Sequence, residues 1–380
     1  MQLFDTRTAS ARPFEPAGTV RLYVCGITPY DATHLGHAFT YVIFDALIRT
    51  LESRGHTVRY VRNITDVDDD ILRKADELGI DHQELARREV ASFDADLDTL
   101  GLRRPDAEPL ATETAPAIAE AVAELVETGA AYALNDGRVY FNTSAAGDDF
   151  GQLSRLDHAD MLRQFAEKGG DPEAPDKRAQ LDFLLWQPSK EGEPSWSSPW
   201  GAGRPGWHIE CSVMALRELG DTLDIHGGGR DLIFPHHEAE IVQSERLTRN
   251  GEFSHFWLHV GMVGLDGEKM SKSVGNLVFA SDLLARHEPA VVRRYLLSHH
   301  YRSDWSHDEE ELERAAAAVK RWRRAADGEE RDRELEHAFG AAIDDDLDLP
   351  TALATLDTMA QQGAGGSLTR WAASLGFVLD

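Results

Sequence analysis

Apolar positions near the start of the chain follow two alternating periods. Residues 22–25 form a short apolar run that Gly26-Ile27-Thr28-Pro29 breaks, predicting a strand followed by a turn. Ala38, Tyr41, Val42, Leu47, Ile48 and Leu51 then recur at helical spacing and predict a helix over 37–53, with Gly55 as its left-handed cap. Residues 58–61 read as the next strand, and Thr65 or Asp66 is placed to cap a helix running to about residue 78. Strand, helix, strand, helix is the rhythm of an α/β fold with a parallel sheet and crossover connections.

The rhythm changes at about residue 103. A helical stretch over 115–128 leads to a predicted strand at 138–141, then to a Gly/Pro-rich stretch containing Glu167-Lys168-Gly169-Gly170-Asp171-Pro172. The α/β character resumes over 207–275. This predicts a catalytic α/β domain in two halves, 1–102 and 199–288, split by an inserted region at 103–198. A C-terminal helical domain follows at 289–380. It includes a charged amphipathic helix at 309–324 and another at 349–359, with Gly363-Ala364-Gly365-Gly366 expected as a loop.

Composition narrows the setting. No apolar run approaches the roughly 20 residues of a membrane span, and the first 14 residues carry Asp5, Arg7 and Arg12 without an apolar signal core. A cytoplasmic monomer without a membrane partner is expected. With 39 Lys/Arg against 66 Asp/Glu, the chain carries a net charge of −27. Residues 301–380 hold nine Lys/Arg and eighteen Asp/Glu. A face that grips nucleic acid needs a basic, aromatic-bearing surface, so no nucleic-acid partner is expected. Only two cysteines occur, Cys25 and Cys211, too few for a secreted disulfide scaffold.

Two separated segments carry candidate nucleotide chemistry. His34-Leu35-Gly36-His37 lies at the mouth of the first predicted helix, where unpaired N–H groups and the helix dipole favour phosphate. Two histidines there can donate to phosphate oxygens as charge develops, and Gly36 allows close approach. The pair alone does not separate that role from an incidental one. Lys269-Met270-Ser271-Lys272-Ser273 lies in a polar, loop-like segment, where lysines can neutralise a pyrophosphate leaving group. Together the segments resemble the paired signatures of class I aminoacyl-tRNA synthetases. A third constellation joins Cys25 to Trp207-His208-Ile209-Glu210-Cys211 and Phe234-Pro235-His236-His237-Glu238-Ala239-Glu240. Thiolate, imidazole and carboxylate are ordinary zinc donors, and a zinc site with a free position selects a soft thiolate over a hydroxyl. Spacing alone leaves burial of both cysteines in the core equally open.

These segments, with Asn63-Ile64-Thr65-Asp66 and Gly227-Gly228-Gly229, resemble the cysteine-activating class I ligases over nearly the whole chain. Two branches share them, cysteinyl-tRNA synthetase and the mycothiol-pathway cysteine:glucosaminyl-inositol ligase. The stretch Cys25-Gly26-Ile27-Thr28-Pro29-Tyr30-Asp31-Ala32, the segment at 167–172 and His300-Tyr301-Arg302-Ser303-Asp304-Trp305 are similar to the second branch. Asp224-Ile225-His226-Gly227 and the segment at 238–245 are similar to the first, and Lys168 stands where the second branch has Arg. The resemblance implies a class I synthetase-type, Rossmann-like catalytic domain with an insertion, followed by helices.

It also implies a site. Cys25, Cys211 and His236 would hold one zinc ion, with Glu240 an open fourth position that is acidic in the tRNA synthetases. Trp207 would pack on the cysteine substrate. Gly26, Ile27, Thr28, Thr40, Asn63, Ile64, Thr65, Gly229, Arg230 and Asp231 would surround the cysteinyl-adenylate, with Val263 contacting adenine through its backbone. His34, His37, Lys269 and Lys272 would stabilise the activation transition state, with ATP and Mg2+ as substrate. The expected reaction joins L-cysteine to the amine of 1D-myo-inositol 2-amino-2-deoxy-alpha-D-glucopyranoside (glucosaminyl-inositol). The alternatives are a shortened cysteinyl-tRNA synthetase and a non-catalytic binding protein of the same fold.

Overall fold

The computed structural model describes residues 1–30, 32–265, 267–270 and 275–379. At its centre lies a four-stranded parallel sheet in the order Ser254–Val260, Leu223–Gly229, Val20–Ile27, Val58–Ile64. The α/β class expected from the alternation is therefore present. Apolar residues on both faces of Val20–Ile27 follow from its central place, since a parallel strand is covered on two sides. The first strand is flanked by its immediate successor on one side and, on the other, by a strand some two hundred residues later. That reversal leaves a crevice at the carboxyl ends of the strands, the place where open α/β sheets bind ligands.

The helix Leu35–Ser53 crosses from Val20–Ile27 to Val58–Ile64 and buries Ala38, Phe39, Val42 and Leu47 against the sheet. It begins earlier than the apolar spacing indicates, because His34 caps it: its Nδ1 accepts from Gly36 N at 3.1 Å. The next helix, Asp69–Leu78, is capped by Asp68 and not by Thr65 or Asp66. Thr65 N is already bonded to Ile27 O, continuing the strand. The Asp66 carboxylate instead accepts from Thr112 N at 2.9 Å and Thr112 Oγ1 at 2.5 Å.

Between Val58–Ile64 and Trp207–Leu219 the chain builds further helices and a four-stranded antiparallel sheet. Its strands Ala131–Ala133, Val139–Phe141, Leu184–Pro188 and Gly203–Pro205 lie in sequence order. The helix Ala111–Glu127 packs on it through Ile118, Val122 and Leu125. A small sheet of Val263–Leu265, Glu268–Lys269 and Trp305–His307 lies beyond the central one. Helices Pro289–Leu297, Glu309–Ala326, Arg333–Asp344, Leu349–Gln362 and Gly365–Ser374 complete the chain.

These helices share a core with the central sheet, since Phe39 and Leu47 belong to the same apolar cluster as Trp322, Leu353 and Leu368. One buried cation spans the junction. Arg293 donates to Leu375 O at 2.6 Å and Leu100 O at 3.3 Å, and pairs with Asp45 of the first helix. The expected loop at 363–366 is shorter than anticipated: Gly365 and Gly366 begin a helix. A Cβ on Gly365 would lie 2.2 Å from Ala325 O, so the glycine serves close helix approach.

Candidate active site

Four side chains of the types that can bind a metal converge at the carboxyl end of the central sheet. Cys25 lies two residues before the end of the strand Val20–Ile27, and Cys211 lies on the helix Trp207–Leu219. His236 lies in the π-type turn Ile233–His237, and Glu240 in the first turn of the helix Glu238–Thr248. One donor atom from each lies within 4.8 Å of all the others, and all four residues are buried. His236 Nε2 is 2.8 Å from Glu240 Oε1, and Cys25 Sγ is 3.6 Å from the same oxygen. The i, i+4 spacing thus brings His236 and Glu240 face to face, although His236 does not itself begin an α-helix.

The electrostatics of the cluster favour a positive charge on His236. Burial alone would raise the Cys211 thiol, but hydrogen bonding from Cys25 and the charge of His236 outweigh it and bring it down to about 6. Burial lowers His236, yet Glu240 and Cys211 outweigh that and raise it to about 10. Burial and the neighbouring Cys211 hold the Cys25 thiol well above its ordinary value. Glu240 is held well below its ordinary value because His226 and His236 outweigh its burial. A proton on His236 thus balances buried anionic donors. Two thiols, one imidazole and one carboxylate suit zinc, so these residues fit the ion.

Cys25 and Glu240 also belong to a second donor set with His226 and His237. His226 Nε2 is 2.7 Å from Glu240 Oε2, and His237 Nε2 is 3.3 Å from Cys25 Sγ. His237 Nδ1 lies 2.7 Å from His259 Nε2, whose Nδ1 lies 2.7 Å from Thr6 Oγ1. This histidine row was not singled out from the sequence; the tandem His236-His237 was its only local sign.

Trp207 stacks on His236 with ring centroids 4.1 Å apart, and His208 Nδ1 is 3.0 Å from His236 Nδ1. Trp207 and His208 also line a cleft of about 710 Å³, with Thr28 and Asp231 beside them. The cluster of Cys25, Cys211, His236 and Glu240 therefore lies directly behind one wall of this cleft. Its described lining includes eight carboxylates and three Lys or Arg side chains. The segment at 167–171 forms part of the rim, where Lys168 donates to Phe234 O at 2.8 Å and also to Asp231 O.

The residues expected around a nucleotide are held by hydrogen bonds to side chain and backbone. Gly26 N donates to Asn63 Oδ1 at 2.8 Å, and Asn63 Nδ2 to Thr65 Oγ1 at 3.1 Å. Ile27 pairs with Ile64 across the two strands. A Cβ on Gly26 would lie 1.6 Å from Asn63 O, which explains the glycine there. Tyr41 donates to Cys25 O at 2.9 Å, tying the first helix to the cysteine strand. The His34 and His37 rings stack 3.8 Å apart at the helix mouth, and Thr40 Oγ1 donates to Gly36 O at 3.1 Å.

Gly229 ends its strand, and Arg230 pairs with Asp304 at 2.9 Å. Val263 is buried in the small sheet and pairs with Trp305. Lys269 lies on the short strand Glu268–Lys269, while Lys272 lies outside the described residues. Thr28, Trp207 and Asp231 thus share the cleft wall, whereas His34, His37, Thr40 and Val263 lie outside its lining.

A fold and site of this kind define a class I synthetase-type catalytic unit. A family model described as the tRNA synthetases class I (C) catalytic domain matches residues 13–317, so the chain belongs to that family. It is 48% identical to the L-cysteine:1D-myo-inositol 2-amino-2-deoxy-alpha-D-glucopyranoside ligase of Thermomonospora curvata, over 97% of this chain and 89% of that protein. The protein of the same name from Thermobifida fusca is 48% identical over 97% of this chain and 89% of its own length. Among solved structures, Mycobacterium tuberculosis methionyl-tRNA synthetase in complex with methionyl-adenylate shares the fold. It has a TM-score of 0.67 at 17% identity, covering 94% of this chain and 90% of that one.

Proposed function

We propose that this chain is an ATP-dependent ligase that joins L-cysteine to the amine of glucosaminyl-inositol through a cysteinyl-adenylate, a step of mycothiol biosynthesis. The observation that carries the reading is the four-donor cluster behind Trp207, in a chain whose near-full-length relatives bear that ligase name. The acidic cleft lining supports an amine acceptor over a polyanionic tRNA. The reading includes a cytoplasmic monomer that uses no nucleic acid and takes ATP with Mg2+ as substrate.

Cys25, Cys211 and His236 would hold one zinc ion, with Glu240 beside them as a further donor, and the chemistry of the ion there is to prefer a thiolate over a hydroxyl. Trp207 packs against the bound cysteine and keeps water from its carboxylate. The backbone at Gly26, Ile27 and Ile64, with Thr28, Thr40, Asn63, Thr65, Gly229, Arg230 and Asp231, surrounds the nucleotide, and Val263 offers backbone atoms to adenine. The cysteine carboxylate attacks the α-phosphorus and pyrophosphate leaves. His34 and His37 donate to the phosphate oxygens as their charge grows, while Lys269 and Lys272 balance the departing pyrophosphate. The acceptor amine then attacks the carbonyl of the mixed anhydride, releasing AMP and a proton and leaving an amide.

The deciding experiment offers cysteine and ATP with glucosaminyl-inositol and with tRNA in separate reactions. A stable amide with the amino sugar alone is expected; aminoacylated tRNA alone overturns the reading.

A further inference from the structure

We propose that Glu210 is a specificity-determining contact for the acceptor, its carboxylate taking an N–H or O–H donor from the amino-polyol that receives the cysteinyl group. The inference rests on the ligation reading and names a residue for its second substrate. Glu210 lies in the first turn of the helix Trp207–Leu219, three residues from Trp207, and lines the same cleft. It is 1% exposed, and its Oε2 has no hydrogen-bond partner among the described residues. A buried carboxylate oxygen left in this state is costly, and a donor from a ligand relieves it.

The neighbouring charged groups are already committed. Arg204, the nearby cation, pairs with Glu193 at 3.2 Å and with Asp69. Asp68 accepts from Asp70 N at 2.8 Å, and Asp66 is held by Thr112. Glu210 is therefore a buried carboxylate on this wall whose Oε2 lacks a donor among the described residues. The phosphates of ATP do not meet this need, because they offer acceptors and not donors and would face Asp68 and Asp69. The thiol of cysteine is accounted for by the donor cluster behind Trp207. An amino sugar joined to a cyclitol carries many N–H and O–H donors, and a cleft of about 710 Å³ is in the size range of small-molecule sites.

The test separates activation from ligation. Glu210→Gln keeps the shape of the side chain and replaces one acceptor oxygen by an NH2 group. It is expected to leave cysteine-dependent ATP–pyrophosphate exchange within about twofold of the parent and to raise the acceptor KM about tenfold or more, as for a buried hydrogen bond replaced by two facing donors. Glu210→Asp, which keeps the carboxyl group at shorter reach, is expected to raise the acceptor KM by less and to leave exchange intact. It also serves as the probe if the glutamine variant does not fold.

An unchanged acceptor KM in both variants overturns the proposal. So does loss of exchange that parallels loss of ligation, since the carboxylate then serves cysteine or the fold. A parent protein that exchanges pyrophosphate with cysteine yet makes no amide with glucosaminyl-inositol is a different failure: it removes the ligation reading itself.

Discussion

At the scale of single residues, the cluster at Cys25, Cys211, His236 and Glu240 makes the sharpest demands. Each donor is buried, so removing one leaves the others facing each other without a full ligand set. Cys211→Ser is expected to weaken zinc binding by about 100-fold or more, since even partners one shell out cost about 10–100-fold. Zinc content per chain after dialysis checks this. The same variant is expected to lose discrimination between cysteine and serine in pyrophosphate exchange. His34→Ala, at the helix mouth, is expected to lower the exchange rate by about 10²–10³-fold with zinc content unchanged, by analogy with loss of one oxyanion donor. Unaltered exchange in that variant removes the stacked histidines from the activation step.

At the scale of elements, Asp81 offers a clean measurement. It caps the helix His82–Thr99 by accepting from Gln83 N at 3.0 Å and Glu84 N at 3.1 Å. Asp81→Ala is expected to cost about 1 kcal/mol in urea unfolding, with pyrophosphate exchange untouched. The same local chemistry explains what could be read in advance. The helices at 37–53, 309–324 and 349–359 were visible because their apolar stripes repeat with helical period, and all are present with extended ends. The cap at Asp68 was not visible, because Asp66 is diverted by Thr112 from a distant helix, and no local pattern reports that. Gly365 looked like loop material for the same reason: its partner, Ala325 O, is remote in sequence. The convergence of Cys25 with Cys211, His236 and Glu240 was suggested by residue type and resemblance. The row through His226, His237 and His259 depends on strand order and was hidden.

At the scale of the whole molecule, the Arg293–Asp45 pair joins the last helices to the first. Burial alone would raise the Asp45 carboxyl, but Arg293 and Arg49 outweigh it and hold it below its ordinary 3.8. A depressed carboxyl contributes stability that is complete above its unfolded value and fades as pH falls through its folded one. The stability from Asp45 is thus full above about pH 4 and lost below it. Arg293→Ala, which leaves Asp45 buried with one charge partner fewer, is expected to cost about 3–5 kcal/mol at neutral pH. Its deficit should shrink as the pH drops below 4, which thermal melts across that range can follow.

The reach of Arg293 to Leu375 O also bears on how the chain is made. During synthesis on the ribosome, residues 1–64 leave the exit tunnel with the strands Val20–Ile27 and Val58–Ile64 and the helix between them. Their other sheet neighbour, Leu223–Gly229, and the carbonyl that anchors Arg293 do not yet exist. Asp45 then has Arg49, the backbone at Arg103 reaches it later, and its strongest partner arrives only with the C-terminal helices. The nascent catalytic half therefore waits, partly assembled, for the far end of the chain, and chaperones that shield exposed apolar surface have their longest opportunity in that interval.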